Sequence, residues 1–281
     1  MKVLRSALGL AFLIVILFSV EANFTSCKKD VIRDTIIIKD TIRIVDSSSC
    51  NCYDLTDGLV AYYNFNKGTL NDSSGKGNHI TFSSAVKTAD RFGKAENAYL
   101  FNGSSSYMKV PNSVSLNPTG AITMMAIVKM NGFYSGTCHG NQIFQKGTKD
   151  QYQGVYSLRV SDITSDCNAA VDTSKERAWG FYGDYGASVG AFDLNKYVRT
   201  NAWMTLVLTY DGTTTRFYVD GALKGTATGT AVFTANTFDL FIGRAESPDY
   251  PYWWNGVIDE IRIYNKALCE GAVKQLSTVK N

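Results

Sequence analysis

Oxygen-bearing side chains gather around one short, Gly-rich turn of the chain. Asp72 and Asn78 stand on either side of the stretch Ser-Ser-Gly-Lys-Gly, and Asp259 lies in an apolar stretch near the C-terminus. Hard cations prefer clustered carboxylate, amide and carbonyl oxygens. If the first and last strands adjoin, Asp259 approaches this turn, and the pattern predicts a structural Ca²⁺ site of Asp72, Asn78 and Asp259. The alternative is a turn held only by hydrogen bonds from side chain to backbone.

Aromatic side chains form the second candidate for chemistry. In the run Tyr250-Pro-Tyr-Trp-Trp254, Tyr252 and Trp253 are candidates for a platform on which the C–H face of a pyranose could stack. A further set of candidate ligand-binding residues comprises Asn141, Tyr182, Asp184 and Tyr185. The alternative interpretation is that these rings belong to the core, where most large aromatic side chains lie.

Residues for catalysis are not arranged in a recognisable pattern. The two histidines, His79 and His139, have no Ser or Cys in a nucleophile motif such as G-x-S-x-G. Retaining glycosidases need two carboxylates on one face, whereas Asp259 and Glu260 are consecutive and point to opposite faces of a strand. We therefore expect a protein that is not an enzyme.

The N-terminus has the layout of an export signal. Lys2 and Arg5 precede the apolar run from Leu8 to Val20, and Ser26-Cys27 follows. A cysteine at this position resembles the acylated residue of bacterial lipoproteins. The resemblance predicts a signal peptide over residues 1–26, a lipid on Cys27 and a place at the bacterial cell envelope. A plain secretory signal and a single membrane-spanning anchor are the alternatives.

Five further cysteines would meet an oxidising compartment. Cys138 and Cys167 bracket one insertion-like region and are the expected disulfide pair. Cys269 could pair with Cys50 or Cys52, which leaves one thiol free or available to bridge two chains. A zinc site at Cys50 and Cys52 is the weaker interpretation, because no second cysteine pair or nearby histidine completes it.

A six-residue repeat opens the exported part of the chain. Arg-Asp-Thr-Ile-Ile-Ile at 33–38 is followed directly by Lys-Asp-Thr-Ile-Arg-Ile at 39–44. Stiff β-branched residues and a period of two favour extended backbone. We interpret residues 27–56 as an extended stem whose isoleucines 36, 38, 42 and 44 line one face. A disordered linker is the alternative, although such linkers are seldom rich in isoleucine.

From residue 57 to 281 the pattern is that of an all-β domain. Short alternating segments, abundant aromatics and turns of Gly, Asn and Asp predict a sandwich of two antiparallel sheets. The predicted strands are Leu59–Phe65, Tyr107–Val110, Ala121–Val128, Gly154–Val160, Trp203–Tyr210, Arg216–Val219, Ala222–Gly225, Leu240–Ile242 and Val257–Tyr264, with a helix at Lys266–Leu276. Asp220-Gly221 suits a type I′ hairpin turn. A net charge of +3 without a basic block does not suggest nucleic acid.

Several ordered motifs resemble one family. They are Gly-Leu-Val-Ala-Tyr-Tyr-Asn-Phe-Asn at 58–66, Asn-Asp-Ser-Ser-Gly-Lys-Gly-Asn at 71–78, Trp-Met-Thr-Leu-Val-Leu-Thr-Tyr-Asp-Gly at 203–212, and Asn-Gly-Val-Ile-Asp-Glu-Ile-Arg-Ile-Tyr-Asn-Lys-Ala-Leu at 255–268. This series is similar to the laminin-G-like, concanavalin A-like domains of bacterial surface proteins. The likeness covers roughly residues 57–277 and implies a concanavalin A-like jelly-roll sandwich. Residues 132–201 depart from the short form of the family.

The resemblance also implies a function. The family often binds calcium near Asp72 and Asp259, and the aromatic residue before its Asn-Gly motif, here Trp254, packs inward. The fold hosts lectins, adhesins, accessory modules and some hydrolases, so fold alone does not name a ligand. We expect non-enzymatic binding of a glycan or glycoconjugate at the cell surface. The alternatives are an adhesion module that binds surface proteins and a polysaccharide-active enzyme.

Overall fold

The structure is a computed structural model that describes residues 33–38, 41–46, 53–136, 140–147, 155–162, 176–184, 187–193 and 197–278. The chain divides into two compact units, residues 1–48 and residues 49–281. The first contains a two-stranded hairpin and the second contains the β-sandwich. The predicted lipid site at Cys27, the predicted pair Cys138 and Cys167, and Tyr185 lie outside the described residues.

The six-residue repeat forms an antiparallel hairpin. Strands β1 (Arg33–Ile38) and β2 (Thr41–Asp46) pair with Ile38 opposite Thr41 and Arg33 opposite Asp46. The extended backbone is as expected, but the single straight stem and the single isoleucine face are not. The chain reverses between the two repeats, so Ile36 pairs with Arg43 and Ile44 pairs with Thr35.

The sandwich unit contains fifteen strands, β3 to β17, and one α-helix among its described residues. In chain order the strands are Leu59–Tyr63, Phe82–Ser83, Val86–Thr88, Ala98–Asn102, Met108–Val110, Ile122–Met130, Gly140–Lys146, Val155–Asp162, Glu176–Asp184, Ala187–Asp193, Trp203–Tyr210, Thr214–Val219, Ala222–Thr228, Leu240–Ile242 and Asn255–Tyr264. Helix α1 spans Glu270–Thr278, and short 3-10 helices span Asn66–Gly68 and Val114–Leu116.

Two antiparallel sheets enclose the core, which confirms the predicted sandwich. One sheet has seven strands in the order β12-β11-β10-β9-β16-β7-β4. The other has eight, in the order β15-β14-β13-β8-β17-β6-β5 with β3 paired to β17. The main apolar cluster lies between them. Strand β8, the near-continuous apolar run, is central, because it pairs with β13 on one side and β17 on the other. A strand that is buried on both faces needs this continuous hydrophobicity.

The first and last strands of the sandwich unit pair with each other, as the sequence suggested. The last strand, β17, pairs with β3, with Ile261 opposite Tyr63. Helix α1 then packs its apolar side, including Val273 and Leu276, over the outer face of the eight-stranded sheet. The hairpin turn is also confirmed, since Asp220 and Gly221 have φ values of 51° and 78°.

The region at 132–201 is part of the sandwich rather than a separate insertion. It supplies β9, β10, β11 and β12, which are four of the seven strands in one sheet. The sequence predicted only β10 among these as a strand. Strand β9 was not predicted, because its run Asn-Gln-Ile-Phe-Gln-Lys does not alternate between polar and apolar residues. In the structure, the register with β10 shifts between Leu158 and Arg159, so the consecutive residues Ile143 and Phe144 both reach the core.

A lysine is fully buried at the end of β9. The Lys146 ammonium donates to Oδ1 of Asn117 (3.0 Å) and to Oδ1 of Asn236 (2.5 Å), and so ties together two loops that leave the core. Desolvation lowers the pKa of Lys146 to about 8, while the nearby Asp239 carboxylate raises it again in part. Three amide and carbonyl oxygens stabilise the ammonium in place of water.

This burial predicts a dependence of stability on alkaline pH. The folded-state pKa of Lys146 lies below its unfolded value, so between about pH 8 and pH 10 the unfolded chain binds more protons than the folded one. Relative to Lys146→Met, the wild type should therefore gain up to about 1.4 kcal/mol of unfolding free energy per pH unit in this window. Urea titrations of both proteins from pH 7 to 10 measure the difference. A difference that is flat or falls with pH would show that the pKa is not lowered.

Candidate functional site

A short aromatic segment follows β16 and places Trp253 on the outer face of the seven-stranded sheet. It follows Gly243, at the end of β16, and ends at Trp254, whose indole is fully buried in the core as expected. Its backbone is fixed at both ends and in the middle. Trp254 N–H donates to the carbonyl of Gly243 (2.9 Å), Ala245 N–H to that of Pro251 (2.7 Å), and Gln142 N–H to that of Tyr252 (2.7 Å). The side chains before Trp254 are therefore held against the sheet.

Four rings form a continuous patch on this face, which we name the aromatic cluster. Its members are Phe82, Tyr107, Phe241 and Trp253. The Tyr107 ring is central, with centroid distances of 4.8 Å to Phe82, 6.0 Å to Phe241 and 6.2 Å to Trp253. Phe82 is exposed and the other three are half-buried, so the patch is open to solvent. Rings at these separations attract one another, so the patch is pre-formed.

Strand alternation explains the cluster. Met108 and Val110 point into the core, so Tyr107 and Lys109 face outward, and Phe241 faces outward between Leu240 and Ile242. These positions lie within two predicted strands, so the period of two could have assigned Tyr107 and Phe241 to the outer face. Phe82 lies in a two-residue strand that carries no such signal.

The second predicted ring, Tyr252, lies beside the cluster in a separate contact. The Arg159 guanidinium sits 5.3 Å from the centroid of its ring, and desolvation lowers the pKa of that guanidinium. Tyr252 adopts φ = 47°, a left-handed conformation that is costly for a bulky residue. Its ring packs directly on Gly140, where a Cβ would lie 2.7 Å from the ring. Only glycine at position 140 leaves room for Tyr252.

Arg244 brings a positive charge into the aromatic cluster. Its guanidinium carbon lies 4.9 Å from the centroid of Trp253, 5.3 Å from that of Tyr107 and 5.5 Å from that of Phe241. Desolvation lowers the pKa of Arg244 from its usual value, yet an arginine stays charged at neutral pH. Arg244 was not predicted as a site residue, because nothing in its sequence context distinguishes it from a solvated surface arginine.

Of the remaining predicted ligand residues, Asn141 does not join this patch. It is fully buried, and its side-chain oxygen accepts a hydrogen bond from Tyr134 N–H (2.6 Å), so it supports the backbone there. The backbone of Tyr182 pairs with that of Tyr156, and the backbone of Asp184 pairs with that of Ala187. The side chains at 182 and 184 lie outside the described part of the structure, so ligand binding by Tyr182, Asp184 and Tyr185 stays a prediction.

Asp72 organises its turn through hydrogen bonds. Oδ1 accepts from the backbone N–H groups of Tyr62 (2.9 Å) and Ser74 (2.8 Å), and Oδ2 accepts from the Ser74 hydroxyl (2.7 Å) and from Asn78 N–H (3.0 Å). The Asn78 side chain is used as well, because its amide donates to the Val60 carbonyl and its oxygen accepts from the Ser113 hydroxyl. Protein groups thus bind both carboxylate oxygens of Asp72 and the side-chain amide of Asn78.

Asp259 has a different partner, Arg91, whose guanidinium also lies 3.8 Å from the Glu260 carboxylate. The prediction that these two carboxylates point to opposite faces is therefore wrong, because the strand register shifts between Ile258 and Glu260. The buried carboxylate of Asp259 accepts hydrogen bonds from Arg91 through the backbone N–H (3.1 Å) and the guanidinium (2.8 Å). Desolvation raises the pKa of Asp259 to about 6, and Arg91 opposes that shift. No described contact joins Asp259 to Asp72, and no group of three acidic, histidine or cysteine side chains in the described residues could hold a metal ion. Both carboxylates are bound by protein groups in this arrangement, and calcium binding stays a prediction.

A family profile identifies the superfamily of this chain. The profile described as the concanavalin A-like lectin/glucanase superfamily, Laminin_G_3, matches residues 102–274. The chain belongs to this superfamily. The match includes Tyr107, Phe241 and the segment up to Trp254, and it confirms the resemblance seen in the motifs. Among curated protein sequences, none matches the chain.

Solved structures with the same fold include several binding domains. One is domain 4 of AbnA, an extracellular arabinanase of family GH43 from Geobacillus stearothermophilus, in complex with arabinotriose; it is 22% identical, with a TM-score of 0.58 over 78% of this chain and 98% of that one. Another is the binding domain of Paraclostridial Mosquitocidal Protein 1, at 15% identity and a TM-score of 0.59 over 80% and 52%. A third is the binding domain of Botulinum Neurotoxin DC in complex with SialylT, at 14% and 0.56 over 79% and 51%. At these identities the likeness shows the fold.

The predictions on export and oxidation concern other parts of the chain. Cys27, Cys50, Cys52, Cys138 and Cys167 lie outside the described residues, so the lipid and the disulfides stay predictions. Cys269 is exposed, and within the described part of the chain it has no disulfide partner. None of the described helices has the length and hydrophobicity needed to cross a membrane.

The hydrogen bonds of Asp72 predict how its turn responds to mutation and to chelation. Asp72→Ala leaves the N–H groups of Tyr62, Ser74 and Asn78 without their acceptor, and should lower the free energy of unfolding by about 3 kcal/mol. If these protein donors alone hold the turn, the loss is the same in EDTA and in millimolar calcium. Thermal and urea unfolding in both buffers measure it. If chelation instead lowers the wild-type melting temperature and leaves that of Asp72→Ala unchanged, the turn binds calcium.

Proposed function

We propose that the protein is a non-enzymatic glycan-binding module, and that the glycan binds on the outer face of the seven-stranded sheet. The observation that carries this proposal is the aromatic cluster, a solvent-accessible patch of four rings beside Tyr252 and Arg159. The C–H face of a sugar ring stacks on such rings, while nearby polar groups bond its hydroxyls. Sites of this kind combine mostly apolar walls with a few fixed polar groups.

The way the patch is held supports a binding role. A bulky residue in a left-handed conformation is stable only when its surroundings hold it there, and such strain concentrates at ligand sites. Tyr252 is held by the bond from Gln142 to its carbonyl and by the contact of its ring with Gly140. A pre-ordered surface loses little conformational entropy when a ligand binds.

Structural relatives support the ligand class. The arabinanase domain is described with arabinotriose and the neurotoxin domain with SialylT, and both have the same fold as this chain. A glycan or glycoconjugate is therefore the ligand class that we assign to the aromatic cluster. Binding of surface proteins through the same rings is the competing outcome of the experiment below.

The glycan-binding proposal predicts the effect of single ring deletions. Trp253→Ala and Tyr107→Ala should each weaken binding by about tenfold or more, because each removes one stacking surface. Trp203→Ala is the matched control, since Trp203 is also half-buried but lies in β13 of the opposite sheet. A glycan array selects the ligand, and calorimetry with that ligand compares the variants. Equal affinity of Trp253→Ala and wild type would exclude the cluster, and an array without signal would favour a protein partner.

We also propose that the mature protein is anchored to the bacterial envelope through a lipid on Cys27. The support is the order of basic residues, apolar run and Ser26-Cys27 in the sequence. Mass spectrometry of the mature N-terminus should find Cys27 as the first residue and acylated, and Cys27→Ala should remove the protein from the membrane fraction. An unmodified Cys27, with cleavage elsewhere, would contradict the anchor.

A further inference from the structure

Arg244 is oriented by its own loop. Nε donates to the carbonyl of Ala245 (2.6 Å) and Nη2 donates to the carbonyl of Glu246 (2.8 Å). Three rings of the aromatic cluster, those of Tyr107, Phe241 and Trp253, have their centroids 4.9 to 5.5 Å from the carbon of the same guanidinium. A long, flexible side chain is thus held in one orientation before any ligand arrives. Such pre-organisation reduces the entropy lost when a planar guanidinium binds a partner.

Arg244 makes no salt bridge of 4.0 Å or less within the described part of the chain, although the charge of the nearby Glu246 carboxylate raises its pKa in part. No described group accepts a hydrogen bond from Nη1. Other arginines of the sandwich differ, since Arg91, Arg199, Arg216 and Arg262 each pair with Asp or Glu. Lys109, the neighbouring cation on this face, pairs with Asp239 at 3.2 Å. Arg244 is therefore a half-buried cation with bonding capacity left over.

A half-buried charge without a counter-ion is costly, and a ligand that supplies the counter-ion removes that cost. Carboxylates match the guanidinium best, because two oxygens can accept parallel N–H bonds. We propose that Arg244 selects glycans that carry a carboxylate, such as uronate or sialate sugars. The inference rests on the proposed function and specifies its ligand. The sugar ring stacks on Trp253 or Tyr107 while its carboxylate accepts hydrogen bonds from Arg244.

Another role for Arg244 would be structural only. The two bonds to its own loop fix the backbone at residues 245 and 246, and that role needs no ligand. The two roles differ in what they predict for matched ligands. A loop anchor affects acidic and neutral sugars alike, whereas a carboxylate-binding arginine distinguishes an acid from its methyl ester.

The test uses a panel of uronate and sialate oligosaccharides, each beside its methyl ester, with the wild-type chain. We expect the acid to bind about tenfold to a hundredfold more tightly than the ester, as for one charge-assisted bidentate contact. Added salt should weaken binding of the acid more than that of the ester. These two measurements need no variant, so they hold even if a substitution at position 244 disturbs the loop.

Variants locate the effect. Arg244→Met should bring the affinities for acid and ester within about twofold of each other, and Arg244→Lys should keep a reduced preference, because it keeps the charge without the planar fork. Lys109→Met, which removes a paired cation from the same face, should leave the preference intact. Equal binding of acid and ester by the wild type, or a preference retained in Arg244→Met, would overturn the inference and leave glycan binding in place. Binding of neither form would also overturn the inference, and a glycan array without signal would then remove the proposed function itself.

Discussion

The burial of Trp254 is the interaction on which the proposed site depends. Its indole fills the core between the sheets, and its backbone joins them: its N–H donates to the carbonyl of Gly243, at the end of β16, and its carbonyl accepts from Gly103 N–H, just after β6. Gly256 follows in β17 with φ = 153°, where a Cβ would lie 2.2 Å from the Lys129 carbonyl. The buried ring and this close backbone approach set the position of the whole segment. Trp253 faces the outer surface because the residue after it, Trp254, is held in the interior, and Tyr252 precedes it on the same surface.

Sequence patterns predicted the parts of the fold that depend on local rules. Alternation located β13 and β16 at their observed bounds, and the Asp220-Gly221 pair identified its hairpin. Strand β9 escaped prediction, because its polar residues are buried by tertiary contacts rather than by a local pattern. The repeat at 33–44 was predicted to be extended, but a period of two does not say where a chain reverses. Of the candidate site, Trp253 and Tyr252 were found, whereas Arg244 acquires its environment only from strands distant in sequence.

Contacts with residues distant in sequence also explain why the sequence left the role of Asp72 and Asp259 open. An Asp-Ser-Ser-Gly turn offers the same oxygens whether a cation or the backbone N–H groups bind them. Here Asp72 takes four donors from the protein, and the internal cation next to Asp259 is the Arg91 guanidinium. Ser74 and Asn78, in the turn itself, supply three of the donors to Asp72, but Tyr62 N–H comes from β3 and Arg91 comes from the loop before β6. Composition alone carries no information about such distant donors.

The hydrogen bond between Trp254 and Gly243 closes the aromatic segment on itself. A loop whose two ends meet at one fixed point can change in length and composition with a small entropic cost, because loop closure depends only weakly on the number of residues. The sandwich would keep its register while residues 244–253 are exchanged. This chain therefore offers a natural graft point: a stable sheet face over which one replaceable segment can carry different recognition chemistry, in evolution or in the laboratory.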